Sequence, residues 1–141
     1  GGNVDRKFNQ PVRVSGVLRT LFHGRFLISG PSYSGLIMQM GLTAVVEVEQ
    51  LKVVITSERT WSHSPDFYRA VGLEPARAWI VHTKSNSTFK ASYEPIARQI
   101  LFLAGPGITS PELTSLPCQH RPRPLYPFED FEWIPEPVFF N

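Results

Sequence analysis

Residues 84–90, Lys-Ser-Asn-Ser-Thr-Phe-Lys, carry the side chains of this sequence that are best suited to bind a ligand. Ammonium, hydroxyl and amide groups all donate hydrogen bonds, and they crowd into one short segment. We therefore expect a site here for an anion or a carboxylate of a substrate. Its candidate residues are Lys84, Ser85, Asn86, Thr88 and Lys90.

The sequence on either side favours the same interpretation. Residues 79–83 are predicted to be a strand, and apolar side chains at helical spacing follow from Phe89. Free backbone N–H groups and the positive end of the helix dipole gather where a helix begins, and both attract anions. The simpler alternative is that Asn86 or Ser87 caps the helix without binding anything.

Metal binding and nucleophilic catalysis have little support in the sequence. The chain has four histidines and a single cysteine, Cys118, with no CxxC motif and no pair of histidines at helical spacing. His120 follows Cys118 by two residues, but a proline-rich stretch is a poor platform for a catalytic dyad. We therefore predict no catalytic residue and no metal ligand in this chain. His82 is expected in the core, while His23 and His63 are expected to face solvent.

Strand patterns dominate the first half of the chain. Period-two alternation predicts a strand over residues 12–22, which Gly24 should end before a short run at 26–28. Two β-branched runs, residues 43–48 and 51–56, predict a hairpin that turns at Glu49-Gln50. This turn lacks the Asn-Gly or Asp-Gly pair that is typical of tight hairpins.

Helix signals follow in the second half. Ser64, Pro65 and Gly72 stand where an N-cap, a first helical residue and a helix end require such residue types, so residues 64–72 predict a helix. A second helix is expected over 89–101, where Pro95 must kink it or begin another. A short helix should start at Thr109 or Ser110.

The predicted fold is α+β: a mostly antiparallel sheet, two or three helices and an extended C-terminal arm. Residues 1–116 would form the body and residues 117–141 the arm. The arm holds six prolines and six aromatic residues, and disordered linkers seldom contain so many aromatic side chains. We therefore expect the arm to pack on the body or on another part of the protein.

The composition of the chain indicates a globular domain and argues against nucleic-acid-binding and membrane proteins. The chain has 141 residues, of which 42% are hydrophobic and 18% charged, as in a globular domain. Its net charge of +2 comes from scattered basic residues, so we expect no nucleic-acid partner. No stretch approaches the length of a membrane span. One cysteine cannot form an internal disulfide, and with no signal-like start a cytoplasmic location is expected.

Several segments, in order along the chain, resemble the C-terminal domain of the MlrC-like (microcystinase C) metallopeptidases. The most specific is Pro-Gly-Ile-Thr-Ser-Pro-Glu-Leu-Thr-Ser-Leu-Pro at residues 106–117, which continues to Arg-Pro-Leu-Tyr-Pro at 123–127. The others are Gly24-Arg25-Phe26 with Ser29-Gly30-Pro31, Met40-Gly41 with Thr43-Ala44-Val45, residues 53–57, Val81 with Lys84-Ser85, and Phe89 with Pro95-Ile96-Ala97.

The resemblance implies a zinc-dependent hydrolase of peptide bonds whose metal ligands belong to a larger N-terminal domain. That domain would be the partner of this chain, and a peptide-like small molecule the substrate. The resemblance implies no cofactor within this chain, which would be truncated at its own N-terminus and not catalytic alone. Its role would be to support and partly wall the active site.

Two positions differ from the pattern of the family. Thr88-Phe89-Lys90 stands where relatives tend to have His-Phe-Arg, and Met40-Gly41-Leu42 stands where they tend to have Met-Gly-Pro. The first difference removes a histidine from residues 84–90. The alternative function is therefore a non-catalytic binding module that uses the aromatic arm and residues 84–90, either alone or as a divergent family member.

Overall fold

The computed structural model describes residues 10–103, 113–115 and 119–132. Three antiparallel strands form one sheet in the order β1 (Val17–Leu27), β2 (Ile37–Val48) and β3 (Leu51–Thr56). Two short helices follow, α1 (Asp66–Arg69) and α2 (Phe89–Tyr93). Turns of 3-10 helix lie at Pro75–Arg77 and Leu113–Ser115. The predicted α+β class, with an antiparallel sheet and two helices, is confirmed.

The hairpin predicted from the two β-branched runs is present as the pair β2–β3. Val45 lies opposite Val54, and Val48 opposite Leu51, so the turn is Glu49-Gln50. Glu49 takes a left-handed backbone conformation, with φ of +54°. A non-glycine residue rarely adopts this region, but it lets a two-residue turn match the twist of the strands.

Gly24 does not end the first strand, contrary to the prediction. β1 runs through Gly24, which is buried and lies opposite Gly41 of β2. A Cβ at position 24 would lie 2.9 Å from Oγ1 of Thr43 and 3.0 Å from Sδ of Met40. Glycine is therefore required here for close packing between the strands. The register of the pair shifts immediately after it.

The core lies on one face of the sheet. Phe26, Met40 and Val45 point toward the segment that contains α1 and bury Phe67 and Val71. The rings of Phe26 and Phe67 meet edge to face, with centroids 6.0 Å apart, a favoured arrangement for aromatic pairs. The alternation of strand side chains leaves Leu21, Leu42 and Ile55 exposed on the opposite face.

The first helix is present, but it is short and begins one residue later than predicted, because Pro65 and not Ser64 is at its N-cap position. The four residues of α1 are flanked by turns within the predicted range 64–72. The Oγ of Ser64 accepts the backbone N–H of Asp66 at 3.3 Å, much as a capping side chain would. Gly72 has φ of +79° and ends the segment, as predicted.

Two other predicted elements are wrong. Residues 79–83 form no strand, and Trp79 and Ile80 are almost fully exposed. The second helix stops at Tyr93, although it was predicted to continue to residue 101. Pro95 lies two residues further on, and the N–H groups of Ile96 and Ala97 donate to the carbonyl of Tyr93. Glu94, between the two, is still in helical backbone, but proline has no N–H to donate to the carbonyl four residues before it, which explains the early end.

The chain divides into two compact units, Pro11–Leu101 and residues 1–10 with 102–141. In the second unit, Arg121 pairs with Glu129 at 2.6 Å and lies 4.3 Å from the ring centre of Phe128. The start of the predicted third helix and the boundary at 116/117 fall outside the described residues, so both stay predictions. No helix in the described ranges is long and apolar enough to cross a membrane.

Candidate functional site

A cavity of about 190 Å³ lies beside the segment that the sequence singled out. We call it the Trp61 cavity, and its lining residues are Tyr33, Trp61, His63, Lys84, Ser85 and Thr88. Three of the five predicted binding residues thus meet at one cavity. The other two, Asn86 and Lys90, are exposed and are not among its lining residues.

Three aromatic rings form one wall of the Trp61 cavity. The ring centre of Tyr33 lies 5.5 Å from that of Trp61 and 5.7 Å from that of His63, and Trp61 and His63 are 5.5 Å apart. Tyr33 belongs to the loop between β1 and β2 and has φ of +62°. A bulky residue in left-handed backbone is a strained feature, and such features concentrate at binding sites.

His63 is the buried member of this wall. Only 2% of its surface is exposed, and its Nε2 has no hydrogen-bond partner among the described residues. Burial lowers the pKa of His63 below its ordinary value of 6.5, because desolvation disfavours the imidazolium. The neutral imidazole therefore presents an unsatisfied nitrogen at a cavity. The expectation that His63 faces solvent is wrong.

A set of hydrogen bonds fixes the backbone next to His63. The carbonyl of Ser62 accepts from the hydroxyl of Thr83 at 2.8 Å and from the hydroxyl of Tyr93 at 3.0 Å. Burial raises the pKa of Tyr93, so its hydroxyl keeps the proton that it donates. The segment 61–63 is thus tied both to the residue before Lys84 and to α2.

The polar side of the Trp61 cavity comes from residues 84–88. The hydroxyls of Ser85 and Thr88 lie 3.1 Å apart, and Lys84 is exposed beside them. Thr88 stands at the N-cap of α2, but its side chain makes no capping hydrogen bond. Because α2 has only five residues, it contributes little dipole. Any anion binding here therefore depends on the side chains.

A second cavity of about 180 Å³ lies beside Asp66. Oδ2 of Asp66 accepts three hydrogen bonds: from the N–H and hydroxyl of Ser29 at 2.8 and 2.9 Å, and from the hydroxyl of Ser64 at 2.8 Å. Burial alone would raise the pKa of Asp66, but these donors and Arg69 hold it below its ordinary value. This carboxylate is already satisfied, so its contacts are those of a structural tie between β1 and α1.

The remaining histidines show no metal centre. His82 is exposed, contrary to the prediction that it packs in the core, and its carbonyl accepts the hydroxyl of Tyr68. His23 is exposed, as predicted, and His120 is exposed as well. Within the described ranges, no three histidine, cysteine, aspartate or glutamate side chains are grouped to hold a metal ion.

Sequence reasoning found the polar side of the cavity and missed its aromatic wall. Tyr33, Trp61 and His63 come from two loops that are far from residues 84–88 along the chain. The spacing Trp61-x-His63 was the available signal, since two ring-bearing side chains stand close together just before a helix. Nothing in the sequence indicated that Tyr33 would join them.

Comparisons with known proteins agree on one family. The model of the family described as MlrC C-terminus matches residues 1–120. Microcystinase C of Sphingomonas sp. is 28% identical over 91 residues, which cover 64% of this chain and 17% of that protein. A crystal structure of a protein from Mesorhizobium sp. BNC1, proposed to be a metallopeptidase, is 30% identical with a TM-score of 0.68. It is matched over 84% of this chain and 24% of its own length.

Proposed function

We propose that this chain, which belongs to the MlrC C-terminus family, forms one wall of the substrate site of a zinc-dependent peptide hydrolase. The chain spans 17% of Microcystinase C and 24% of the Mesorhizobium protein. In this proposal, the rest of such an enzyme includes an N-terminal domain that holds the zinc and carries out the reaction. The Trp61 cavity is where the present chain contacts the substrate.

One observation carries the proposal. His63 is almost completely buried and is one of the residues that line the Trp61 cavity, yet its Nε2 has no hydrogen-bond partner among the described residues. A buried polar atom without a hydrogen bond costs about 1–3 kcal/mol, and folding alone gives no reason to keep it. A ligand that completes this hydrogen bond provides that reason.

The cavity combines the features of a small-molecule site. Aromatic side chains supply apolar walls, while a few polar groups fix the orientation of what binds. Tyr33 and Trp61 would cover an apolar part of a peptide and exclude water from it. Lys84, Ser85 and Thr88 would hold a polar group of the same peptide at the other side.

Zinc is assigned to the absent domain because the described residues do not fit it. A zinc site requires three or four nitrogen, sulfur or carboxylate ligands, and no such group occurs in the described ranges. No step of the reaction is therefore assigned to residues of this chain. The Sphingomonas relative supports the further proposal that the enzyme is bacterial, and the single cysteine supports a cytoplasmic location. The scattered basic residues support a role without nucleic acid.

Removal of the Trp61 indole tests the proposal in the full-length enzyme. Trp61→Ala should raise the KM for a linear peptide substrate by about tenfold or more, since a tryptophan that becomes buried against its ligand often dominates binding. The zinc content per chain, measured by mass spectrometry, should stay unchanged. Trp79→Ala is the matched control, because Trp79 is 98% exposed and lies outside both cavities.

Two results would contradict the proposal. One is an unchanged KM in Trp61→Ala, which would mean that the cavity does not contact the substrate. The other is an equal rise in KM for Trp61→Ala and Trp79→Ala, which would indicate a general effect of removing surface indoles. Circular dichroism of both variants establishes that each is folded before its kinetics are compared.

The alternative is a binding module that uses the aromatic arm. Tyr126 is 75% exposed, as a docking residue would be. Phe128, however, lies beneath the guanidinium of Arg121 within the same unit. The arm residues 133–141 lie outside the described ranges. The hydrolase proposal is favoured because the unpartnered nitrogen of His63 belongs to a residue that lines a cavity.

A further inference from the structure

We infer that the Trp61 cavity binds a carboxylate group of the peptide substrate, held by Lys84 and the imidazole of His63. This inference rests on the proposed function and adds the chemical class of the group that the cavity recognises. It does not concern the bond that is cleaved.

The first argument is the balance of donors and acceptors around the cavity. None of its six lining residues is acidic, so no side chain of the lining competes with a bound anion. Lys84 supplies an ammonium, which only donates hydrogen bonds. Ser85 and Thr88 bond to each other at 3.1 Å, and this leaves one of their two hydroxyl protons free for a ligand.

The protonation of His63 also suits a carboxylate ligand. A neutral imidazole with its proton on Nε2 donates one hydrogen bond into the cavity without adding a second charge. Lys84 then supplies the positive charge that a carboxylate needs. Nε2 of His63 is itself shielded from water, and a charged hydrogen bond is stronger where water is excluded.

The volume of the Trp61 cavity also suits a carboxylate group. A volume of about 190 Å³ exceeds the roughly 30 Å³ that one water molecule occupies in the liquid. It accommodates a carboxylate with a short carbon stem. Such a group has two sources in a peptide substrate, the C-terminal carboxylate and an acidic side chain, and both share the same planar, anionic chemistry.

The experiment follows the ring resonances of His63 by NMR in the full chain during titration with small probes. N-acetylglycine carries a terminal carboxylate, and N-acetylglutamic acid α-amide carries a side-chain one. N-acetylglycinamide is the neutral match of the first. At least one acid should shift the resonance of His63 in a saturable manner, with a Kd on the order of 1 mM, and the neutral amide should not. The resonance that disappears in His63→Gln assigns the signal.

The pH dependence of the same signal gives a second readout. A bound carboxylate favours the imidazolium, so saturation with the acid should raise the pKa of His63. The other titratable side chains that line the cavity are Tyr33 and Lys84. Lys84→Met should weaken binding of the acid at least about tenfold. Lys90→Met removes the same charge from an exposed residue outside the lining and should leave binding unchanged.

Three outcomes would overturn the inference: no saturable shift with either acid, equal binding of N-acetylglycine and its amide, or equal losses in Lys84→Met and Lys90→Met. Each would leave the proposed function standing if Trp61→Ala still raises the KM of the full-length enzyme. An unchanged KM in that variant would instead overturn the proposed function itself. Binding of one acid and not the other supports the inference and identifies the source of the carboxylate.

Discussion

His63 combines two properties that rarely occur together in a structural residue. It is buried, and the described part of the chain leaves its Nε2 without a partner. A histidine that only fills space would be expected to satisfy both ring nitrogens or to expose one of them to water. The energetic cost of this arrangement falls on folding, and in the proposed function a bound ligand offsets it.

The lowered pKa of His63 makes a prediction for stability. The unfolded chain takes up a proton near the ordinary pKa of 6.5, whereas the folded chain resists it until a lower pH. The unfolded state therefore binds more protons below pH 6.5, so stability falls with pH through this window. We expect the free energy of unfolding in urea to decrease from pH 7.5 to 5.5, and to decrease less in His63→Gln.

The chosen window isolates the histidine, because carboxylates have ordinary pKa values near 4 and stay ionised throughout it. His82→Gln is the matched control, since it makes the same substitution at an exposed histidine. Parallel curves for the wild type and His63→Gln would show that burial does not shift this group. In that case the argument for a neutral imidazole at the cavity would fail.

At the scale of single residues, side-chain type predicted only part of the lining of the Trp61 cavity. Lys84, Ser85 and Thr88 were found because polar donors cluster in one segment, a local property. His63 was assigned to solvent because a polar residue at the end of an element is usually exposed. Burial depends on which loops meet in space, and a single sequence carries little information on that.

At the scale of elements, the carboxylate of Asp66 joins the end of β1 to the start of α1. Asp66 opens α1, and its Oδ2 collects donors from Ser29, just after β1, and from Ser64. These contacts join the end of the strand to the start of the helix at the edge of the core. The short α1 has few hydrogen bonds of its own, so its position depends on such tertiary contacts.

Asp66→Ala should therefore destabilise the chain by about 1–3 kcal/mol, since it removes a charged acceptor from several donors at once. The measurement is the free energy of unfolding in urea at pH 7. The advantage of the wild type should shrink as pH falls below 4, because the pKa of Asp66 is lowered in the folded state and its stabilising effect is lost on protonation.

Glu94→Ala is a suitable control for Asp66→Ala. Glu94 is an exposed acidic residue directly after α2, and its removal should leave stability unchanged within error. Equal stability of Asp66→Ala and the wild type at pH 7 would mean that water replaces the carboxylate without cost. A difference that did not shrink at all as the pH falls below 4 would mean that the ionised form is not what stabilises the junction.

Local sequence patterns predicted a strand or a turn correctly where the tertiary packing favours the same element. The hairpin β2–β3 follows from two β-branched runs, even though Glu49 must adopt left-handed backbone at its turn. Gly24 was misjudged because the same residue type ends strands and allows close packing within them. Residues 79–83 have a strand-like composition but no partner strand in the described sheet, and a strand needs a neighbour for its hydrogen bonds.

At the scale of the whole molecule, buried side chains are unevenly distributed among the described residues. The described core lies within Pro11–Leu101 and is centred on β2, the strand that pairs on both sides. In the other unit, the described residues 119–132 are joined by an ion pair, a ring contact and backbone bonds to the carbonyl of Leu125. Fewer buried groups should allow easier local opening there.

Hydrogen exchange on the full chain should reveal this hierarchy. Amides at residues 43–47 of β2, paired with both neighbours, should exchange only through global unfolding and at least about 10³-fold more slowly than an unfolded chain. Residues 79–83 should exchange close to the unprotected rate, and residues 119–132 should lie between. Protection at 79–83 equal to that of β2 would mean that these residues do form the strand that their sequence suggests. Uniform protection throughout would instead mean that both units open together, since local opening would then cost as much as unfolding the core.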